Sequence, residues 1–344
     1  MRLKLVSALA LLLFNGTAVA REKPSLPEVD RVRIAEAFRL GRAVGGRVWK
    51  SWGEAPFALL LVTPEHEFLV RHPSPSKDFA PAGYDPLLRS EVYFRKRTFG
   101  TNLLATFPAV GGVPTIVIGQ AENTDKKSST PWVVTVLHEH FHQLQSSQPS
   151  YYGEVDALGL ARGDRTGMWM LNYAFPYSSP EVARRFGELC RLLAEAIGAR
   201  PGREFDARLA AYLDARRAFA ATLKPDDYRY FSFQVWQEGL ARYTEYRVAR
   251  LAAERYKPSR EFRALKDYKP FGAVADEIMG GITKELATLK LEDYRRVAFY
   301  PLGAGEALLL DRAGPAWKDR YLSEKFYVEK YFTPPRPKRR RAGE

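Results

Sequence analysis

The chain has 344 residues, of which 46% are apolar and 27% charged, and its formal net charge is +13. That composition excludes a disordered or fibrous protein and allows one large domain, or two lobes, with a substantial core. The basic balance favours anionic partners. No basic helix, zinc knuckle or RNP-like strand accompanies it, so no nucleic-acid partner is expected.

Residues 1–20 read as a secretory signal. Arg2 and Lys4 give a positive start, Val6 to Phe14 an apolar run, and Ala18-Val19-Ala20 a small-x-small cleavage pattern. A mature chain beginning at Arg21 is expected, exported to a periplasm or secreted. The apolar run is short for a membrane span and no later segment is long enough, so the mature chain is expected to carry no transmembrane segment. Pro27 to Ala43 has the spacing of an amphipathic helix. Phe57 to Val62 and Phe68 to Val70 predict a hairpin turning at Pro64-Glu65-His66. Val92 to Phe94 and Leu103 to Phe107 are further strand segments. Gly111-Gly112 breaks the chain before a strand at 113–119, which is expected to line a cleft and pair with an extended peptide.

After residue 128 the pattern becomes helical. Thr130 is suited to cap a helix over about 131–147, with Pro131 in its first turn. Ser179-Pro180 opens a second helix, to about Ile197. A third covers about Phe205 to Leu223, a fourth about Asp227 to Tyr256, and two more Ala273 to Leu289 and Tyr300 to Asp311. Cys190, the only cysteine, sits in the second helix as a small apolar residue; no internal disulfide is expected. The expected organisation is a signal peptide (1–20), a sheet-rich N-terminal lobe (21–130), a helical lobe (131–333) and a basic disordered tail (334–344). That tail could contact anionic envelope material weakly.

The chemistry concentrates in His138-Glu139-His140-Phe141-His142, which holds three of the five histidines. On a helix, His138 and His142 share one face, so both imidazoles can bind one Zn²⁺. Glu139 is rotated by about 100°, placed to reach a metal-activated water without ligating. This is the HExxH arrangement. His140 points off the metal face and is expected to pack elsewhere. Catalytic zinc takes three protein ligands, and the third must be a carboxylate, His66 or His72. Glu238 is the favoured carboxylate: Gly239 follows it inside a helix, which implies close approach of another backbone. Its spacing to Arg242 and Glu245 also fits a surface ion-pair ladder. Glu245 is the alternative ligand, or the carboxylate that orients an imidazole.

His138-Glu139-His140-Phe141-His142 followed by Trp236-Gln237-Glu238-Gly239-Leu240-Ala241 resembles the zincin-like gluzincin metallopeptidases of the peptidase-MA group. The likeness is to their aminopeptidase branch, with its W-x-N-E-G-x-A segment. Tyr300-Pro301-Leu302-Gly303 is similar to that branch's Y-x-x-G, and Gly119-Gln120-Ala121-Glu122-Asn123 to its G-x-M-E-N. The resemblance implies that Tyr300 steadies the oxyanion and that Glu122 binds a substrate's amino terminus. It implies an α+β, zincin-like fold in which a sheet-rich lobe and a helical lobe flank the HExxH helix. The expected activity is that of an exported zinc metallopeptidase acting on a peptide or protein substrate. The alternative is a zinc-binding but non-catalytic envelope protein.

Overall fold

The computed structural model describes residues 23–332. The expected signal segment 1–20 and the basic tail 334–344 lie outside the described residues. The fold is α+β. Helix α1 (Glu28–Val48) precedes strands β1 (Leu59–Val62), β2 (His66–Val70), β3 (Ala80–Asp85), β4 (Ser90–Lys96), β5 (Leu104–Val110) and β6 (Val113–Gly119). They form one six-stranded sheet in the order β3-β4-β2-β1-β6-β5. The expected hairpin is β1–β2, paired antiparallel from Leu59↔Val70 to Val62↔Glu67. β1 also pairs with β6, in parallel. β5 and β6 meet across Gly111 and Gly112, whose φ values of 54° and 76° need glycine's freedom.

The run Leu59-Leu60-Leu61-Val62 is apolar throughout because both faces of the sheet are covered. Leu59, Leu61, Phe68, Val70, Ile116 and Ile118 face the helices. Leu60, Val62, Leu69 and Val117 face a smaller cluster closed by Phe79 and Val110. β3 has no such run. It is an edge strand with a register shift between Pro81 and Gly83, and little of it is buried, so no apolar pattern announces it.

The helices follow as α2 (Ser129–Ser146), α3 (Tyr151–Asp156), α4 (Trp169–Asn172), α5 (Pro180–Gly198), α6 (Arg203–Ala221), α7 (Pro225–Gln234), α8 (Leu240–Arg255), α9 (Arg260–Arg263), α10 (Phe271–Thr288), α11 (Leu291–Tyr294), α12 (Phe299–Ala313) and α13 (Lys318–Tyr321). α5 starts as its sequence predicts: Ser179 Oγ accepts the Val182 amide and Pro180 fills the first turn. α2 starts earlier than expected, after Ser128. Thr130 is not its cap; its hydroxyl bonds the Lys269 carbonyl at 2.7 Å. One continuous apolar core links α1, the sheet, α2 and the C-terminal helices. Cys190 is buried and unpaired. No helix among the described residues is long and apolar enough to cross a membrane.

The expected fourth helix is interrupted. α7 and α8 are joined by a π-helical segment, Val235–Gly239. Such insertions are frequent at functional sites, and this one contains Glu238. Gly239 supplies the expected close contact. A Cβ there would lie 2.5 Å from Gly303 Cα, and one on Gly303 would lie 2.7 Å from Gly239 Cα. α12 therefore crosses the π segment backbone on backbone.

Candidate metal centre

α2 is buried along nearly its whole length, so its polar side chains must find partners inside the protein. His138 and His142 lie one turn apart with their Nε2 atoms 3.2 Å from each other. Glu238 Oε2 completes a triangle, 3.8 Å from His138 Nε2 and 3.6 Å from His142 Nε2. Donors each ~2.0–2.2 Å from one tetrahedral zinc would sit ~3.4 Å apart, and the three sides bracket that value. His138, His142 and Glu238 can hold a metal ion. Their chemistry also asks for a cation: protons carried on both facing nitrogens would repel, and a shared positive ion removes that conflict.

The other ring nitrogens are engaged. His142 Nδ1 donates to Gln145 Oε1 at 2.7 Å, which leaves Nε2 free to ligate. The Gln145 amide nitrogen is in turn 3.0 Å from the Gln237 carbonyl and 2.6 Å from the Tyr321 hydroxyl. Gln145 thus ties the metal helix to the π segment that carries Glu238. His138 Nδ1 lies 2.8 Å from Glu245 Oε1, close enough for an ion pair though off the line of a good hydrogen bond. Glu245 is held by Arg242 at 2.6 Å. Glu245 therefore stands behind His138, on the ring nitrogen facing away from the triangle. The surface ladder does not form: Arg242 pairs with Glu245 and both are largely buried.

Charge is concentrated here. Burial opposes a protonated His138, but the neighbouring Glu238 and Glu245 carboxylates outweigh it and raise its pKa to about 10. Burial likewise opposes charge on His142, and the Glu238 carboxylate overcomes it and raises the pKa. Burial pushes the Glu238 carboxyl up, but the two imidazoles hold it well below the ordinary carboxylate value. Glu245 is lowered against its own burial by Arg242 and His138. The centre thus has ionised carboxylates ready, and protons on the imidazoles that a metal would displace.

Glu139 points towards the sheet. Its Oε2 lies 2.8 Å from Thr106 Oγ1 on β5, which also reaches the Glu139 carbonyl at 3.0 Å. The strand expected to line the cleft was β6, and that expectation is corrected: β6 is paired on one side with β1 and on the other with β5. Its backbone is already used, and among the described residues β5 is the outer strand of the sheet, beside Glu139. Tyr300, on α12, interacts with the Glu238 carboxylate. Burial and then the Glu238 charge drive its phenol pKa well up, and Arg296 donates to its oxygen at 2.5 Å.

Other candidate residues stay apart. Glu122 pairs with Arg33 at 2.8 Å beside Asp30, Ser129 and Asp267, at the start of α2, about two turns or more from His138. It is not among the metal group. His66 packs against Phe68 and Phe94, and His72 Nε2 bonds the Val110 carbonyl at 3.2 Å. His140 stacks on Phe57, ring centroids 3.7 Å apart, and burial lowers its pKa to about 3. Sequence reasoning missed Thr106, Gln145 and Arg296. Gln145 had a signal, three residues beyond His142 on the same helix face. Thr106 had none.

Fold and donor set together define an α+β protein with a buried three-donor centre able to take a metal ion. No protein-family model, curated protein or solved structure matches the chain, so the reading of this centre rests on its geometry.

Proposed function

We propose that the chain is an exported zinc-dependent metallohydrolase, a zincin-like, gluzincin-type peptidase that cleaves peptide bonds. The observation that carries this reading is the convergence of His138, His142 and Glu238 within 4.8 Å of one another, with Glu139 adjacent on the helix yet outside the donor set. Zinc held there would polarise a scissile carbonyl and acidify a water. Glu139, held by Thr106, would serve as the base that takes a proton from the attacking water and returns it to the leaving amine. Tyr300 donates a hydrogen bond to the oxyanion that develops on the carbonyl oxygen. Gln145 and Glu245 hold the imidazoles in their ligating orientation. β5 offers an unpaired strand edge on which an extended peptide can lie beside Glu139. Glu122 stands outside this group, paired with Arg33.

The test is metal content together with one substitution. Purified protein should carry about one zinc per chain. Glu139→Gln should keep the zinc and lose peptide hydrolysis by about 10²–10⁴-fold, because an amide cannot take the proton. Full zinc with no Glu139-dependent turnover would favour a non-catalytic zinc-binding envelope protein instead. Absence of stoichiometric metal would end both readings.

A further inference from the structure

Arg296 is the charged residue near the centre that catalysis as described above does not use. It lies in the 3₁₀ turn Arg295–Ala298, which leads into α12. The chain enters that turn through Arg295 at φ 48° and ψ −130°, a conformation that residues with side chains rarely adopt. The turn is one helical step from Tyr300. Arg296 is half-buried, and its guanidinium donates to the Tyr300 hydroxyl at 2.5 Å.

Among the described residues no carboxylate pairs directly with Arg296. The carboxylate whose charge it feels is Glu238, and its other neighbours are the phenols of Tyr300 and Tyr230. Tyr230 itself is stacked on Tyr173, centroids 4.4 Å apart, and packs against Phe299. An arginine against such a wall has few water molecules to screen it, so its attraction for an anion is strengthened.

A divalent cation on the triangle would be offset by Glu238 and Glu139. Glu245 is already offset by Arg242. Arg296 is then a positive charge beside the centre with no carboxylate of its own among the described residues. Guanidinium groups left in that state beside a reaction centre bind carboxylates, often through two hydrogen bonds.

We propose that Arg296, next to Tyr300, forms a carboxylate-binding subsite beside the metal, selecting peptides that carry a carboxylate close to the scissile bond. This rests on the peptidase reading and adds the substrate class to it. The carboxylate can come from a free chain end or from an acidic side chain. Either source meets the same guanidinium.

The test uses binding, not turnover. Zinc-loaded Glu139→Gln protein is titrated by fluorescence anisotropy with dansylated tripeptides in three forms. One has a free terminal carboxylate, one is its amide, and one is an amide with glutamate in the last position. At least one charged form should bind about tenfold tighter than the neutral amide, and the tighter of the two identifies the source of the carboxylate. Arg296→Gln in the same background should bring all three within about twofold while zinc content stays unchanged, and Arg296→Lys should restore part of the preference. Equal binding of the three forms by the Arg296-bearing protein overturns the subsite and leaves the peptidase reading standing. So does a preference that survives Arg296→Gln. If none of the three binds to the zinc-loaded protein, the peptidase reading fails and the subsite fails with it.

Discussion

Two buried polar networks sit on α2, and they differ in how completely they satisfy themselves. At its start, Arg33 meets Asp30 at 2.9 Å, Glu122 at 2.8 Å, Asp267 at 3.1 Å and the Ser129 hydroxyl at 2.9 Å. Gln120 closes on the second oxygen of Asp30 at 2.6 Å. Every charge there faces an opposite charge or a donor. In the middle of the helix, His138 and His142 point like groups at one another, with Glu238 more than a hydrogen bond away from both. The first network is saturated and fixes the helix against α1 and the 267–269 turn. The second brings together three donors that could hold a metal ion. Charge is common to both; what separates them is whether the polar groups already face opposite partners.

The sharpest way to break that contrast is to remove one member from each. His138→Ala should abolish tight zinc binding, read as metal per chain after dialysis. Arg33→Met should leave zinc stoichiometry intact but destabilise the fold by about 3–5 kcal/mol, because Asp30 is then buried without its partner. The denaturant midpoint measures that loss. Retention of full zinc by His138→Ala, or loss of zinc in a folded Arg33→Met protein, would invert the assignment of the two networks.

A smaller effect separates ligand from support. Gln145→Ala should lower zinc affinity about 10–100-fold without removing the site, since the imidazole keeps its ligating atom and loses its orientation. Chelator competition measures it. An unchanged affinity would mean that packing alone holds the His142 ring.

The mildest test is pH. His138 is raised to about 10 in the metal-free protein, above the value of 6.5 for a free imidazole. Its contribution to metal-free stability is therefore fully present below pH 6.5 and lost as pH rises towards 10. The same proton competes with zinc, so zinc affinity should rise with pH by about tenfold per unit for each proton displaced. The Arg33 network has no imidazole and none of the three donors, so it should add nothing to the proton release on zinc binding. Urea midpoints of the metal-free protein at pH 6.5 and 9.5, and proton release on adding zinc, check these signs.

How much of this could be read beforehand follows from the range of each signal. His138, Glu139 and His142 belong to one helix, and helical period alone puts them on neighbouring faces. Glu238 was approachable through Gly239, whose cost inside a helix implied the contact that Gly303 makes. The π turn that re-aims Glu238 leaves no mark on the local pattern, because Val235 to Gly239 continues the apolar spacing of its neighbours. Strand order is not written locally either. Leu104–Val110 and Val113–Gly119 read equally well as strands, yet it is the first that lies at the sheet edge and touches Glu139. A clue was present: Pro108 lies within the first and cannot serve a paired ladder from both sides. Thr106 had no clue at all, since which helix a strand residue touches is decided by packing between distant segments. Arg296 looked like one more cation in a basic chain until its neighbours were known.

The crossing of Gly239 and Gly303 has a mechanical consequence. Where two helices are held apart by side chains, the spacer can be compressed or repacked, and one rod can slip along the other. Here there is no spacer. A shift by one residue would bring the side chain of Glu238, Leu240, Leu302 or Ala304 into a gap sized for a hydrogen atom, so the joint acts as a keyed pivot with a single permitted position. Glu238 and Tyr300 ride on its two arms, one residue and three residues from the pin. Their separation is therefore set by the backbone itself, in the way a caliper is set by its rivet, and adjustment of the centre must come from the α2 side.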